Sequence, residues 1–263
     1  MVPEKFLLTV QNAVPKIKGG RFSVYRLAII EDEEVILDGL SKFYPWKDIG
    51  FQVVSKCTTA EDFFAFLESG GKVDAILSDI CLPNMTGIDL AKRISEQYPD
   101  IIVVFLSGFT DFNYAKSAVS YGVFEYLVKP VKFDDLVSTF VKIHLKLDEK
   151  LGIFVTESSY YENIIKRIDN LIDENLRDIS WKLVAYELNM SVSYLSYLYK
   201  QQTGRNFVDV VTKKKMDKAL HLLKDSDMKI FEIADTLGYT NAKNFSRAFS
   251  LFFGKSPREF RQQ

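Results

Sequence analysis

Cysteine and histidine are scarce in this sequence, with two of each among 263 residues. Neither Cys57 nor Cys81 lies in a cluster of metal-ligating side chains, and two isolated cysteines suit a reducing compartment. His144 and His221 stand alone within helical patterns, which argues against a zinc site. We therefore expect a cytoplasmic protein without a zinc site.

Long apolar runs are also lacking. No stretch approaches the ~20 residues that a membrane-spanning helix needs. The apolar segment 6–10 is too short for a signal-peptide core, and polar and basic residues follow it instead of a small-residue cleavage site. We expect no membrane partner, and the 47% hydrophobic content is typical of a globular chain of one large or two smaller domains.

The net charge of −1 is unevenly distributed along the chain. Residues 25–145 contain 11 basic and 18 acidic side chains, a net charge of −7, whereas residues 156–263 contain 17 basic and 14 acidic, a net charge of +3. The two halves are therefore expected to have different partners, and nucleic acid is the natural one for the basic half. An excess of +3 is too small to establish DNA binding by itself.

The acidic half alternates short apolar runs with helical patterns. Such alternation predicts an α/β domain in which a doubly wound, five-stranded parallel sheet carries helices on both faces. The strands are expected near 26–31, 51–56, 73–78, 101–106 and 123–128, and the helices near 34–44, 60–69, 87–97, 111–121 and 133–147.

The basic half lacks strand signals and reads as seven short helices. Apolar residues at 164, 165, 168, 171, 172 and 176 form one helical stripe. This pattern predicts an all-α tandem helix-turn-helix domain. The expected division is an N-terminal tail at 1–24, an α/β domain at 25–147, a linker at 148–159 and a helical domain at 160–263.

Polar side chains follow four of the predicted strands: Glu31 and Asp32, Asp79, Ser107, and Lys129. The carboxyl ends of parallel strands meet at one crevice of a doubly wound sheet, so these groups are expected to converge. Clustered carboxylates need a cation, and oxygen ligands with phosphate suit Mg²⁺. A hydroxyl and an ammonium opposite them could bind a phosphoryl group, for which Asp79 could be the nucleophile.

These residues resemble the receiver domain of two-component response regulators over about 120 positions. The similarity consists of five elements in order: the acidic pair, D-x-x-L-P-x-x-x-G from Asp79, the LSG turn, a tyrosine three residues before a lysine, and K-P. Leu82 stands where methionine is usual, and Cys81 is a second mild departure. Neither removes a functional group that the chemistry needs.

The resemblance implies a role for each matching residue. It also implies that the Lys129–Pro130 peptide is cis, and that phosphorylation reshapes a face to which residues 107–122 contribute. The implied roles are phosphoacceptor for Asp79; Mg²⁺ ligands for Glu31, Asp32, Asp79 and the backbone carbonyl of Cys81; phosphoryl contacts for Ser107 and Lys129; and a conformational switch for Ser107 and Tyr126.

Other interpretations of the same residues exist. Asp79 or Ser107 taken alone could be a helix cap, and Lys129 alone a solvated charge. A phosphatase of the haloacid-dehalogenase type would also use an Mg²⁺-bound aspartate. That class has D-x-D after its first strand, whereas here Cys81 occupies the second position and the aspartate follows the third strand.

The segment from Ile179 to Arg261 reads twice as helix, turn, helix. In the second copy Ile230, Ile233 and Leu237 repeat at helical spacing, as do the phenylalanines 245, 249 and 252, which we assign to the core. The second helix of each copy is expected to enter a major groove. Two such helices imply adjacent major grooves about 34 Å apart.

The second copy resembles the AraC family of transcription regulators through I-x-E-I-A, G-Y, F-S-R-x-F and G-x-S-P-x-x-F-R. The first copy fits more loosely, and Lys215 stands where the family usually has arginine, which is expected to weaken or rearrange a structural ion pair. The implied DNA-facing residues are Ser193, Ser196, Tyr197 and Lys200 in the first copy and Asn241, Ala242, Lys243, Asn244 and Arg247 in the second.

Together the two resemblances imply a phosphorylation-dependent transcription regulator, not a metabolic enzyme. The implied partners are a sensor histidine kinase, double-stranded DNA and RNA polymerase, and a homodimer is plausible. Three alternatives remain open: a receiver that serves only as an interaction module without phosphorylation, an Mg²⁺-dependent phosphatase, and an RNA target for the helical half.

Overall fold

A computed structural model describes residues 23–108 and 120–262, together with the backbone of 16–17 and 20–21. The chain divides into two compact units, Met1–Glu157 and Ser158–Gln263. Within the first unit, Lys16–Ile17 and Gly20–Arg21 pair as two short antiparallel strands, which the sequence did not predict in the tail.

The first unit is built on a five-stranded, all-parallel sheet, as predicted. Its strand order is β2-β1-β3-β4-β5, so the order reverses between β1 and β3, and open sheets bind ligands beside such a reversal. The strands are β1 Tyr25–Ile30, β2 Phe51–Cys57, β3 Ala75–Asp79, β4 Ile102–Ser107 and β5 Glu125–Val128.

Four helices of this unit lie within the described residues: α1 Glu34–Phe43, α2 Ala60–Glu68, α3 Gly87–Gln97 and α4 Phe133–Lys150. Helix α3 begins where predicted because Thr86 and Asp89 form a capping box. Most of the helix predicted at 111–121, and most of the face predicted at 107–122, lies outside the described residues.

The core of this unit lies between the sheet and the helices that pack on it. Every residue of β3 and β4 is buried, and helices α2 and α3 pack against one face of the sheet through Phe63, Phe64 and Leu90. Gly87 brings the start of α3 against the end of β3, since an added Cβ would lie 2.7 Å from Ile80 Cα. The loop after Asp79 is thereby held close to the sheet.

The second unit is all-α, with seven helices among its described residues: α5 Glu157–Glu174, α6 Trp181–Leu188, α7 Val192–Thr203, α8 Phe207–Asp225, α9 Ile230–Thr236, α10 Ala242–Phe253 and α11 Pro257–Arg261. The predicted stripe on α5 is buried at Ile164, Ile168 and Ile172. Phe245 and Phe249 are fully buried, while Phe252 is 45% exposed and lies outside the core, contrary to the prediction.

The connection between α4 and α5 is residues 151–156. It lies inside the predicted linker 148–159, the ends of which are helical. In the described part of the chain, no helix is both long and apolar enough to span a bilayer.

Candidate functional site

Three carboxylates meet at the carboxyl edge of the sheet. Glu31 directly follows β1, Asp32 is next to it, and Asp79 is the last residue of the neighbouring strand β3. One oxygen from each lies within 4.8 Å of the others. The parallel pairing of β1 with β3 produces this cluster, because it places the two strand ends side by side.

Lys129 contacts two of these carboxylates. It follows β5, and its ammonium reaches past β4 to donate to Asp79 Oδ2 at 2.6 Å and to Glu31 Oε2 at 2.7 Å. The Lys129–Pro130 peptide is cis, as predicted. Residues that are 98 and 50 positions apart in sequence thus form one charged network.

Burial and charge set the protonation of this network. Burial raises the pKa of Glu31, and the hydrogen bond from Lys129 offsets that effect only in part. Burial alone would lower the pKa of Lys129, but the hydrogen bonds to Asp79 and Glu31 outweigh it, so that the pKa of the ammonium is raised. Lys129 therefore stays charged and neutralises part of the cluster.

The donor set fits Mg²⁺. The second oxygen of Glu31, Oε1, is buried and accepts no hydrogen bond from the described residues. Asp79 Oδ1 accepts the amide of Cys81 at 3.0 Å, which turns the start of the following loop toward the carboxylates. Carboxylate and carbonyl oxygens are hard ligands, and Mg²⁺ is commonly held by one or two carboxylates together with phosphate oxygens and water.

The predicted switch residues lie on the two strands next to Asp79. Ser107 ends β4 and is fully buried, one residue beyond Leu106, which is paired with Asp79. The Ser107 carbonyl accepts the amide of Lys129 at 2.7 Å, which fixes the ends of β4 and β5 together. Tyr126 lies in β5, is half-buried and packs against the core.

In the second unit the predicted DNA-facing residues lie on α7 and α10. Ser193, Ser196 and Lys200 are exposed on α7, whose opposite face is buried. Lys243 and Arg247 are exposed on α10 in the same way. The set also includes Tyr197 and Ala242, which are half-buried, and Asn241 and Asn244, which are exposed.

The two asparagines have local roles in addition. Asn241 is the N-cap of α10, and its side-chain oxygen accepts the amide of Asn244 at 2.8 Å. The Asn244 side chain donates to Thr240 at 2.9 Å. These bonds occupy part of the hydrogen-bonding capacity that base recognition would use, so Lys243 and Arg247 have the more accessible polar groups.

Lys215, on α8, contacts the turn that precedes α6 and the segment that follows α9. Its ammonium donates to the Arg177 carbonyl at 3.1 Å and lies 5.6 Å from the centre of the Tyr239 ring. Burial lowers its pKa, and the charge of Asp178 opposes this shift. Among the described residues no ion pair of Lys215 replaces the one that arginine would make.

Comparison with known families agrees with this geometry. Residues 27–141 match the response regulator receiver domain, and residues 184–263 match a helix-turn-helix domain. The chain is a response regulator with a helix-turn-helix domain. The receiver match contains the carboxylate cluster and Lys129, and the helix-turn-helix match contains α7 and α10.

Proteins of similar sequence match this response regulator over most of its length. The transcriptional regulatory protein HptR of Staphylococcus aureus is 25% identical over 256 residues, which covers 91% of this chain and 99% of the relative. Two solved domains of AraT from Geobacillus stearothermophilus are also similar. Its receiver domain is 27% identical (49% of this chain, 98% of that chain, TM-score 0.45), and its C-terminal domain is 37% identical (38% and 84%, TM-score 0.36).

Sequence reasoning did not assign two basic residues of the helix-turn-helix domain, Lys229 and Arg258. Both border the same cleft as Lys243 on α10. Aligning the two copies of the motif within the chain could have singled them out, because the first copy has no basic residue at either position.

Proposed function

We propose that this response regulator controls transcription in response to phosphorylation at Asp79 by a sensor histidine kinase. The network of Lys129 with Asp79 and Glu31 is the observation that carries the proposal. It places the Asp79 carboxylate, whose side chain is 10% exposed, beside a fixed cation and two further acidic groups, which is the combination that phosphoryl transfer to an aspartate requires.

In the transfer, a carboxylate oxygen of Asp79 forms a bond to phosphorus while the phosphorus–nitrogen bond to the histidine of the donor breaks. The electron pair of that bond returns to the imidazole nitrogen, and the product is an acyl phosphate. Lys129 exchanges its bond to the carboxylate for one to a phosphoryl oxygen, and the Ser107 hydroxyl donates to another. Glu31, Asp32, Asp79 and the Cys81 carbonyl would hold Mg²⁺, which would neutralise part of the phosphoryl charge.

The phosphoryl group adds about −1.5 to −2 charges at the edge of the sheet. Movement of Ser107 toward it would alter the packing beside β4, and Tyr126 on β5 is placed to respond because its ring is only half-buried. We propose that this pair transmits the modification to the surface of the receiver domain.

The helix-turn-helix domain is proposed to bind double-stranded DNA through α7 and α10 in successive major grooves. The accessible groups on α10 favour it as the helix that discriminates between bases, with Arg247 suited to guanine. On α7, serines and Lys200 are suited mainly to phosphate and shape contacts. RNA polymerase is the further partner that a transcription regulator implies.

The first test is intact-mass analysis after incubation with Mg²⁺ and acetyl phosphate. The wild-type chain should gain one phosphoryl group, and Asp79→Asn should gain none. Asp100→Asn is the matched control, because the Asp100 side chain is 98% exposed and remote from the cluster; it should be modified like wild type. Phosphate on Asp79→Asn would refute the assignment. Steady turnover of a simple phosphate ester by the wild type would favour the phosphatase alternative.

DNA binding is tested by competition between a duplex DNA library and structured RNA at one stated salt concentration. We expect DNA to be retained, and we expect Arg247→Ala to lose sequence preference while keeping its non-specific affinity. Equal retention of RNA would contradict the proposal.

A further inference from the structure

The helix-turn-helix domain contains an open cleft of about 750 Å³ beside α10. Its walls come from the beginnings of α9 and α10 and from both ends of α11. Four basic residues line it, namely Lys229, Lys243, Arg258 and Arg261, and no acidic residue is among the lining residues.

The positive charge of this cleft is not neutralised locally. Among the described residues, Lys229, Lys243 and Arg258 form no ion pair, although all three are exposed. Some basic side chains elsewhere in the same domain are paired, as Arg177 is with Asp235 at 3.0 Å. An unpaired group of cations in one concavity attracts an anion more strongly than the same charges spread over the surface.

Two acidic residues of the helices that form the cleft accept hydrogen bonds from the backbone. Glu232 accepts the Lys229 amide at 2.6 Å, and Glu259 accepts the Ser256 amide at 2.7 Å. Arg261 donates to the Met228 carbonyl at 2.6 Å, which ties α11 to the segment before α9. These hydrogen bonds hold the helices around the cleft in place, and Lys229, Lys243 and Arg258 remain available to a ligand.

The first copy of the motif provides an internal comparison. Helices α7 and α10 both have 12 residues, both end at a left-handed glycine, and α8 and α11 begin at the same offset of 50 positions. At this offset Lys243 corresponds to Ser193 and Arg258 to Val208, while Lys229, the N-cap of α9, corresponds to Ser180, the N-cap of α6. The fold of the motif thus does not require these cations.

We infer that the cleft formed by Lys229, Lys243 and Arg258 binds a backbone phosphate of the DNA duplex whose groove α10 reads, and that the first copy lacks this contact. The inference rests on the proposed DNA-binding function. It is favoured over a small free anion because Lys243 belongs both to the cleft and to the exposed face of α10, so a phosphate in the cleft adjoins the groove. The contact would fix the register of the second motif without reading sequence.

The test is the salt dependence of binding between the full chain and 30-base-pair duplexes of unrelated sequence, with and without acetyl phosphate treatment. Each phosphate contact contributes about 0.9 to the slope of log K against log salt. Lys229→Gln/Arg258→Gln should therefore reduce the magnitude of the slope by about 1 to 2 for every duplex. Lys166→Gln/Lys218→Gln removes the same charge from exposed positions outside the cleft and should change the slope much less.

Three outcomes would overturn the inference. The first is a salt-dependence slope that the cleft variant leaves unchanged, or changes no more than the control variant does. The second is a loss of affinity that is confined to particular duplex sequences. The third is binding of inorganic phosphate that the cleft variant abolishes while its DNA slope stays at the wild-type value, which would assign the cleft to a small anion. If the wild-type chain bound no duplex at all, the DNA-binding function itself would be refuted.

Discussion

Lys129 Nζ lies 2.6 Å from Asp79 Oδ2, and the contact joins the carboxyl end of β5 to that of β3 across the intervening strand β4. The same ammonium neutralises Glu31, the side chain of which is fully buried. One lysine thus holds together a site that three strands supply, and its removal leaves buried negative charge without compensation.

Lys129→Met is expected to destabilise the receiver domain by about 3 kcal/mol, the usual cost of breaking a buried ion pair on one side. The change can be followed by urea unfolding through Trp46, which is buried in this domain, in a Trp181→Phe background. Lys132→Met is the control at an exposed position on the same loop and should cost little. Addition of Glu31→Gln should recover part of the loss, and a fully additive double variant would contradict the proposed coupling.

Tyr25→Phe should destabilise the receiver domain by about 1 to 3 kcal/mol, because it deprives a buried carboxylate of its hydrogen bond. The Tyr25 hydroxyl donates to Asp148 Oδ1 at 2.6 Å, and both residues are buried. The unfolding midpoint of Trp46 fluorescence measures the change. Tyr121→Phe removes a hydroxyl from a less buried position and should be nearly neutral; equal effects of the two variants would show that the Asp148 contact contributes nothing.

Acidification is expected to weaken the receiver domain through His144. Burial holds the pKa of His144 below its usual value, although the neighbouring Asp148 carboxylate, 3.5 Å from Nδ1, opposes this shift. The unfolded chain therefore binds a proton first as the pH falls below about 6.5, so the stability is present above that pH and is lost below it. The slope is at most about 1.4 kcal/mol per pH unit.

Unfolding measured between pH 7 and 5.5 tests this linkage. The other groups facing His144 include the Ser23 carbonyl, which accepts from Nε2 at 3.0 Å, and the rings of Tyr25 and Phe51. His144→Gln cannot titrate and should flatten the dependence, even if it lowers stability at pH 7. A slope that persists unchanged in this variant would assign the acid sensitivity to other groups.

Gly238→Ala should destabilise the helix-turn-helix domain by about 3 kcal/mol or more, since it combines backbone strain with a steric clash. Gly238 has φ +75°, and an added Cβ would lie 2.0 Å from the Arg177 carbonyl oxygen. Gly254→Ala has φ +73° but meets nothing within 4 Å, so it should cost only about 1 to 2 kcal/mol. Trp181 fluorescence in a Trp46→Phe background measures both, and equal losses would exclude the clash.

The sequence determined the local structure to a large extent. Helix α3 was predicted at 87–97 and runs from Gly87 to Gln97, because its start is set by a capping box that neighbouring residues form alone. The strands lie within two residues of their predicted bounds. Strands that are buried on both faces of a parallel sheet appear in the sequence as short continuous apolar runs. Residues at the ends of those strands pointed to the carboxylate cluster by the same logic.

Contacts between distant segments could not be predicted from the sequence. The tertiary structure alone shows that Lys129 pairs with both Glu31 and Asp79, and that Tyr25, His144 and Asp148 share one buried cluster at the opposite end of the sheet. It also shows that Lys229 and Arg258 share a cleft with Lys243, although the three are up to 29 positions apart. Periodicity and capping act within a few residues and are legible in the sequence, whereas the meeting of remote charges depends on how whole elements pack.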